Sequence, residues 1–258
     1  MKRLDMDNPF DQSPVFLYDT VESTMTKAKE LYSQEKRAGV VVVARHQSSG
    51  RGRIDKRRWF DAPGEALLFT LIVEPHQIAF PPEQLPLRVG IALSHAIEGM
   101  TGLKATIKWP NDILIGDKKV CGILCESTFT SFSIGIGINV KQQGFPDMQE
   151  KRLLRIPTSL ALEGTVISDP IDILPQVLSS LYWAFKLKDW KEYVEQRLYR
   201  LGEMISIVTG EATEDGKVSP SGNMIVGRLV GLDTYGGLLI ENETGTTVWY
   251  SGEYYSGL

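Results

Sequence analysis

The segment HQSSGRGRIDKRRW, residues 46–59, concentrates positive charge in a chain that is acidic overall. Gly50 and Gly52 alternate with Arg51 and Arg53, and Lys56, Arg57 and Arg58 follow, so five cations fall within eight residues. Glycine lets a backbone bend sharply and come close to a ligand. Arginine offers a planar fork to carboxylate or phosphate. The combination fits an anion site, although a solvated turn would carry the same charges. Trp59 closes the loop with a ring that suits a stacked base or an ordinary place in the core. Further along, KWPND (108–112) breaks a strand at Pro110 and sets Asn111 and Asp112 at the break. The pair suits a simple turn. Near a lysine and the arginine loop, Asp112 also suits magnesium or the orientation of a nucleotide.

Two strand-like segments complete the set. GDKKVCGILCE (116–126) opens on a turn, and the period of two then puts Lys119, Cys121, Ile123 and Cys125 on one face. Lys119 starts that face as a positive charge, and a solvated strand end would explain it as well. In SIGIGINV (133–140), Ile134, Ile136 and Ile138 alternate with Gly135, Gly137 and Asn139. One face reads as core. The other is bare backbone ending in an amide, with room for a flat ligand. The third glycine of GxGxxG is missing and there is no GxxxxGK[ST], so neither nucleotide fingerprint applies.

The elements that must position these residues follow from pattern and composition. With 258 residues, 23% charged and 42% hydrophobic, the chain is globular and long enough for one large domain with a smaller one. A net charge of −4 argues against a dedicated nucleic-acid binder. No stretch approaches the roughly 18 apolar residues of a membrane helix, and the N-terminus has no apolar signal core. Cys121 and Cys125 on one strand would lie ~13 Å apart, beyond the about 7 Å that a disulfide spans. With only three scattered histidines, they read as reduced thiols of a cytosolic protein.

Residues 1–14 read as a loose lead-in and 16–21 as a short strand. A helix over 27–37 is capped by Thr24, with Met25, Ala28, Leu31 and Tyr32 on one face. Strands are expected at 40–44, 66–74, 105–109, 119–127 and 131–140. A helix opens at Pro86 and closes at Gly102. Residues 171–200 read as helical. After Gly202 short strands alternate with DGK, DTYGG and NETG turns, which predicts a small barrel. The boundary is set at 1–202 and 203–258.

Taken together and in order, these segments resemble biotin protein ligases over roughly residues 15–258. The family pattern has Ser-Thr-Asn near the first helix, a GRGR loop running to Trp, KWPND, a Lys-x-x-Gly-Ile-Leu-x-Glu strand, a Gly-x-Asn and a C-terminal Trp-x-Gly-Gly-Glu. Here these read Ser23-Thr24-Met25, GRGRIDKRRW, KWPND, KVCGILCE, GIGIN and Trp249-Tyr250-Ser251-Gly252-Glu253. The departures are Met25 for Asn, five residues instead of four between Arg53 and Trp59, Cys121 for a small residue, and Ser251 for Gly. The resemblance implies an α/β (α+β) fold, a mixed sheet flanked by helices related to class II aminoacyl-tRNA synthetases, with an SH3-like C-terminal β-barrel.

It also implies the chemistry: ATP and biotin give biotinyl-5′-AMP with Mg2+, and biotin then passes to a lysine of a biotin carboxyl carrier protein domain. By resemblance Arg51 and Arg53 contact biotin carboxylate and phosphate, and Lys119 bridges the carboxylate and the α-phosphate. Ser23, Thr24 and Gln47 meet the ureido ring, and Gly50 and Gly122 let backbone approach biotin. Trp59 flanks the adenine, Asn111 and Asp112 serve nucleotide and magnesium, and Asn139 contacts the adenylate. Lys56, Arg57 or Arg58 fills a third arginine role. Cys121 is expected to line the biotin pocket. About 14 residues precede the first family element, so no DNA-binding repressor domain is expected. The family holds monomers and dimers, so a homodimer is open. The alternatives are a lipoate–protein ligase of the same fold and a non-catalytic biotin-binding module.

Overall fold

The computed structural model describes residues 1–53, 58–145, 156–209 and 223–255. Among them, nine strands form one mixed sheet: β1 (Lys2–Leu4), β2 (Val15–Val21), β3 (Val41–Gln47), β4 (Ala66–Val73), β5 (Ala105–Lys108), β6 (Asp112–Ile115), β7 (Lys118–Ser127), β8 (Phe132–Asn139) and β9 (Ile156–Pro157). The strand order is β1-β2-β3-β4-β8-β7-β6-β5, with β9 beside β7. β2 and β3 run parallel because helix α1 (Thr24–Glu35) crosses between them; the hairpin-linked neighbours run antiparallel.

β4 is buried at every position, so both faces of the sheet are covered. On one face Val41, Val43, Leu67, Phe69, Leu71, Ile134, Ile136 and Ile138 join helices α2 (Leu85–Thr101) and α3 (Leu174–Phe185) in the main core. On the other, α1 lays Ala28 and Tyr32 against Val40, Val42 and Ile72. Gly102 ends α2 at φ 71°, a left-handed turn that favours glycine. No helix among the described residues is long and apolar enough to cross a membrane.

Four expectations need correction. The lead-in is ordered: β1 pairs with β2, Asn8 donates to the carbonyls of Ser13 and Gly39, and Phe10 packs edge-on against Tyr182 and Phe185. The N-cap of α1 is Ser23, and Thr24 is the first helical residue. KWPND ends β5 and turns directly into β6, a strand that the break at Pro110 concealed. The helical stretch 171–200 is two helices, α3 and a short α4 (Trp190–Glu195), parted at 186–189.

The second sheet is antiparallel, with strands β10 (Met204–Val208), β11 (Met224–Leu232), β12 (Leu238–Asn242), β13 (Gly245–Trp249) and β14 (Glu253–Tyr254) in the order β13-β12-β11-β10-β14, consistent with an SH3-like barrel. Its turn at 233–237 docks on the first sheet's helices and loops. Gln84 Nε2 donates to the Thr234 carbonyl and Trp109 Nε1 to the Gly236 carbonyl, each at 2.9 Å.

Candidate active site

β8 meets β7 with Gly137 opposite Gly122 and Gly135 opposite Leu124. These glycines lie on the α1 side of the sheet, so a patch of backbone without side chains forms a floor. The loop's tryptophan lies on it. A Cβ at Gly122 would sit 2.8 Å from Trp59 Cζ3, and one at Gly137 would sit 2.7 Å from Cε2 and Cζ2. A Cβ at Gly135 would lie 2.9 Å from Met25 Cε. The indole Nε1 is buried and makes no hydrogen bond among the described residues.

Lys119 reaches the same floor through a β-bulge. Ile113 pairs with Cys121, but its neighbour Leu114 pairs with Lys119, so Val120 is an extra residue in β7. Without the bulge Lys119 and Cys121 would share a face. With it, Lys119 turns to the Gly122 side, and its Nζ sits 2.6 Å from Asp112 Oδ1 and 5.8 Å from the Trp59 ring. The expectation for Cys121 is therefore wrong: its side chain is fully buried in the main core. Burial pushes the Cys121 thiol far up and that of Cys125 up to about 12.

Gln47 ends β3 beside the floor. Its Oε1 accepts from the Thr24 backbone N–H at 2.8 Å and from the Thr24 hydroxyl at 3.0 Å, and Thr70 donates to that hydroxyl at 2.9 Å. A backbone N–H only donates, so the carboxamide's orientation is fixed, and Nε2 turns toward Gly50. A Cβ at Gly50 would lie 3.2 Å from that Nε2. Nε2 has no hydrogen-bond partner among the described residues, and neither has the Ser23 hydroxyl. The site thus holds unspent donors beside a sealed glycine floor.

The structure gathers Ser23, Thr24, Gln47, Gly50, Trp59, Asp112, Lys119 and Gly122 in one place, and leaves the other expected residues at its margins. Arg51 faces Glu126 at 3.7 Å, while Arg53 donates to Glu253 and the Gly252 carbonyl, both at 3.3 Å. Asn111 Nδ2 bonds the Ile123 carbonyl at 2.8 Å, pinning the β5–β6 turn to β7. Asn139 is buried and bonds the Thr158 carbonyl and Gln142. Arg58 lies in a backbone bridge with Arg51, and Lys56 and Arg57 lie outside the described residues. Two contributors went unrecognised in the sequence. Thr70 is the one polar residue in the apolar run ALLFTLIV, a visible signal. Asp61 carries none.

The family model for biotin/lipoate A/B protein ligases matches residues 17–142. The bifunctional ligase/repressor BirA of Bacillus spizizenii is 32% identical over 242 residues, covering 91% of this chain and 71% of that protein. The chain belongs to the biotin protein ligase family. The biotin–[acetyl-CoA-carboxylase] ligase of Paracoccus denitrificans is 30% identical over 228 residues, covering 84% of this ligase and 90% of that one. The structure of a biotin protein ligase from Aquifex aeolicus in complex with biotin and ATP superposes with a TM-score of 0.77 at 31% identity, covering 93% and 97% of the two chains. This ligase thus has a mixed sheet and a second, antiparallel C-terminal sheet that match those of a biotin protein ligase.

Proposed function

We propose that this ligase activates biotin with ATP and transfers it to a lysine of a biotin carboxyl carrier domain in the cytoplasm, with residues 1–202 as the catalytic domain and 203–258 as the barrel. The observation that carries the reading is the bulge that delivers Lys119 to a glycine floor beside the unspent donors of Gln47 and Ser23. In the first step a biotin carboxylate oxygen attacks the α-phosphorus of ATP. The α–β phosphoanhydride bond breaks and pyrophosphate leaves. Both reactants are anions, and unit charges ~4 Å apart repel by ~4 kcal/mol at an effective dielectric near 20. Lys119 offsets that repulsion and holds the charge that builds up in the transition state.

Gln47 Nε2 and Ser23 Oγ donate to the ureido ring, with Thr24 holding Gln47 in place. Gly50 and Gly122 allow the close approach. Trp59 leaves the floor to flank the adenine. Arg51 and Arg53 exchange their glutamate partners for carboxylate and phosphate, and the loop excludes water from the mixed anhydride. Asn111 and Asn139 frame the nucleotide. Among the described residues no three His, Cys, Asp or Glu side chains gather into a metal cage. Asp112, the buried carboxylate beside Lys119, would hold magnesium in company with phosphate oxygens and water, the usual mode for this ion. The ion would neutralise phosphate charge. In the second step the carrier lysine attacks the acyl carbon, loses a proton, and AMP leaves.

The test is ATP–pyrophosphate exchange with biotin, with lipoate and with neither. Exchange only with biotin is expected; exchange with lipoate would overturn the substrate, and no exchange in a protein that binds biotin would leave a binding module. Lys119→Ala should slow the exchange ~10²–10³-fold, and an unchanged rate would remove Lys119 from its role.

A further inference from the structure

The described residues on the two sides of 54–57 come together in a neck. Near its top the Trp59 N–H donates to the Gly50 carbonyl at 3.0 Å, and Arg51 bridges Arg58. At its base one oxygen of Asp61, Oδ2, lies 2.9 Å from His46 Nδ1 and accepts the Gln47 backbone N–H at 3.3 Å. The Asp61 side chain is only 1% exposed, and its other oxygen has no hydrogen-bond partner among the described residues. Burial raises its pKa, against the opposing pull of His46 and the Gln47 amide. A carboxylate stripped of water is expensive to keep. An aspartate in a turn ordinarily caps N–H groups of that turn; this one reaches back 14 residues into the end of β3.

We propose that Asp61 is a positioning residue for substrate recognition: it fixes the end of β3 so that the Gln47 carboxamide presents its two free N–H donors to the cleft. The inference rests on the function proposed above, with Gln47 as a reader of biotin. The geometry forms a relay. Asp61 holds the Gln47 backbone, Thr24 and Thr70 hold its acceptor oxygen, and what remains directed outward is the NH₂ group. In the function proposed above none of these groups meets ATP, so the role is specific to one substrate.

The experiment measures KM for biotin, KM for ATP and kcat in the exchange reaction for the wild-type chain, Asp61→Ala, Asp61→Asn, Gln47→Ala and Asp61→Ala/Gln47→Ala, with melting temperatures alongside. Asp61→Ala should raise KM for biotin about tenfold, the equivalent of one hydrogen bond, and leave KM for ATP unmoved. Asp61→Asn retains an acceptor in place of Oδ2 and should restore KM for biotin. In the Gln47→Ala background the loss of Asp61 should add nothing, because the two act through one contact. If Asp61→Ala does not fold, Asp61→Ser is read in its place, since it withdraws the oxygen from the Gln47 amide and keeps a polar group in the cavity. The proposal is overturned if KM for biotin does not move, if both KM values rise together in step with the melting temperature, if Asn fails to rescue, or if the two losses add. Wild-type exchange without dependence on biotin would instead defeat the function itself, so the two failures are distinguishable.

Discussion

The two faces of β8 share one backbone and do opposite work. Toward α2 and α3, Ile134, Ile136 and Ile138 are all buried, and each supplies a branched side chain to the core. Toward α1 and the loop, Gly135 and Gly137 supply nothing, and Trp59 and Met25 come down to cover them. On the first face stability comes from volume filled; on the second, room for a ligand comes from volume withheld. The lesson is that a strand can be rigid because of one face and accessible because of the other. The glycines are tolerable in mid-strand because the isoleucines hold it in register.

The sharpest way to break this division is to place volume on the wrong face. Gly137→Ala would put a methyl group where the Trp59 ring lies and where, in the function proposed above, the ligand lies once the ring has left. It should cut biotin-dependent exchange by about 10²-fold, the scale of a 1 Å misplacement in a site, with the melting temperature nearly unchanged. Gly135→Ala is the matched control: it meets the terminal methyl of Met25, which can swing away, and should stay within about tenfold of wild type in the same assay. An equal loss in both would mean that the floor is one rigid surface.

The converse experiment removes volume from the packed face. Ile136→Ala should lower unfolding free energy by about 2–5 kcal/mol, measured by denaturant titration, while the protein that remains folded keeps its exchange rate. A variant that stays stable but loses activity would show that the faces are coupled. The smallest effect expected is none. Cys121 pairs with Ile138 on the core face, so a thiol reagent at pH 8 should leave it unmodified in the folded protein, with or without biotin. Modification blocked by biotin, measured by mass spectrometry of the labelled peptide, would move Cys121 to the cleft.

Periodicity made both faces of β8 legible before any coordinates, because alternating Ile and Gly admits only one arrangement. Four of the second sheet's strands and the cap at Gly102 were legible because local chemistry decided them, whereas β14 drew no notice as a strand and the DGK turn lies outside the described residues. What escaped depended on partners distant in sequence. Thr24 looks like a helix cap, yet its hydroxyl is spent on Gln47, 23 residues away. Residues 1–14 look loose because Asn8 and Phe10 are ordered by carbonyls and rings far along the chain. Lys119 was read with Cys121 as its companion on one face, since strict alternation cannot anticipate an inserted residue. Arg51 and Arg53 stood out as cations, while the glutamates that hold them, Glu126 and Glu253, drew no notice as partners.

That inserted residue, Val120, has a genetic consequence. Strand side chains alternate, so deleting its codon would make Lys119 the immediate neighbour of Cys121, and plain alternation would keep the two on opposite faces, with Lys119 still paired with Leu114 over the floor. Every charged residue of the site would still be encoded, and the strand would still be a strand. What the deletion would remove is the Val120 side chain from the core, so its effect would fall on stability and leave the parity of the site intact.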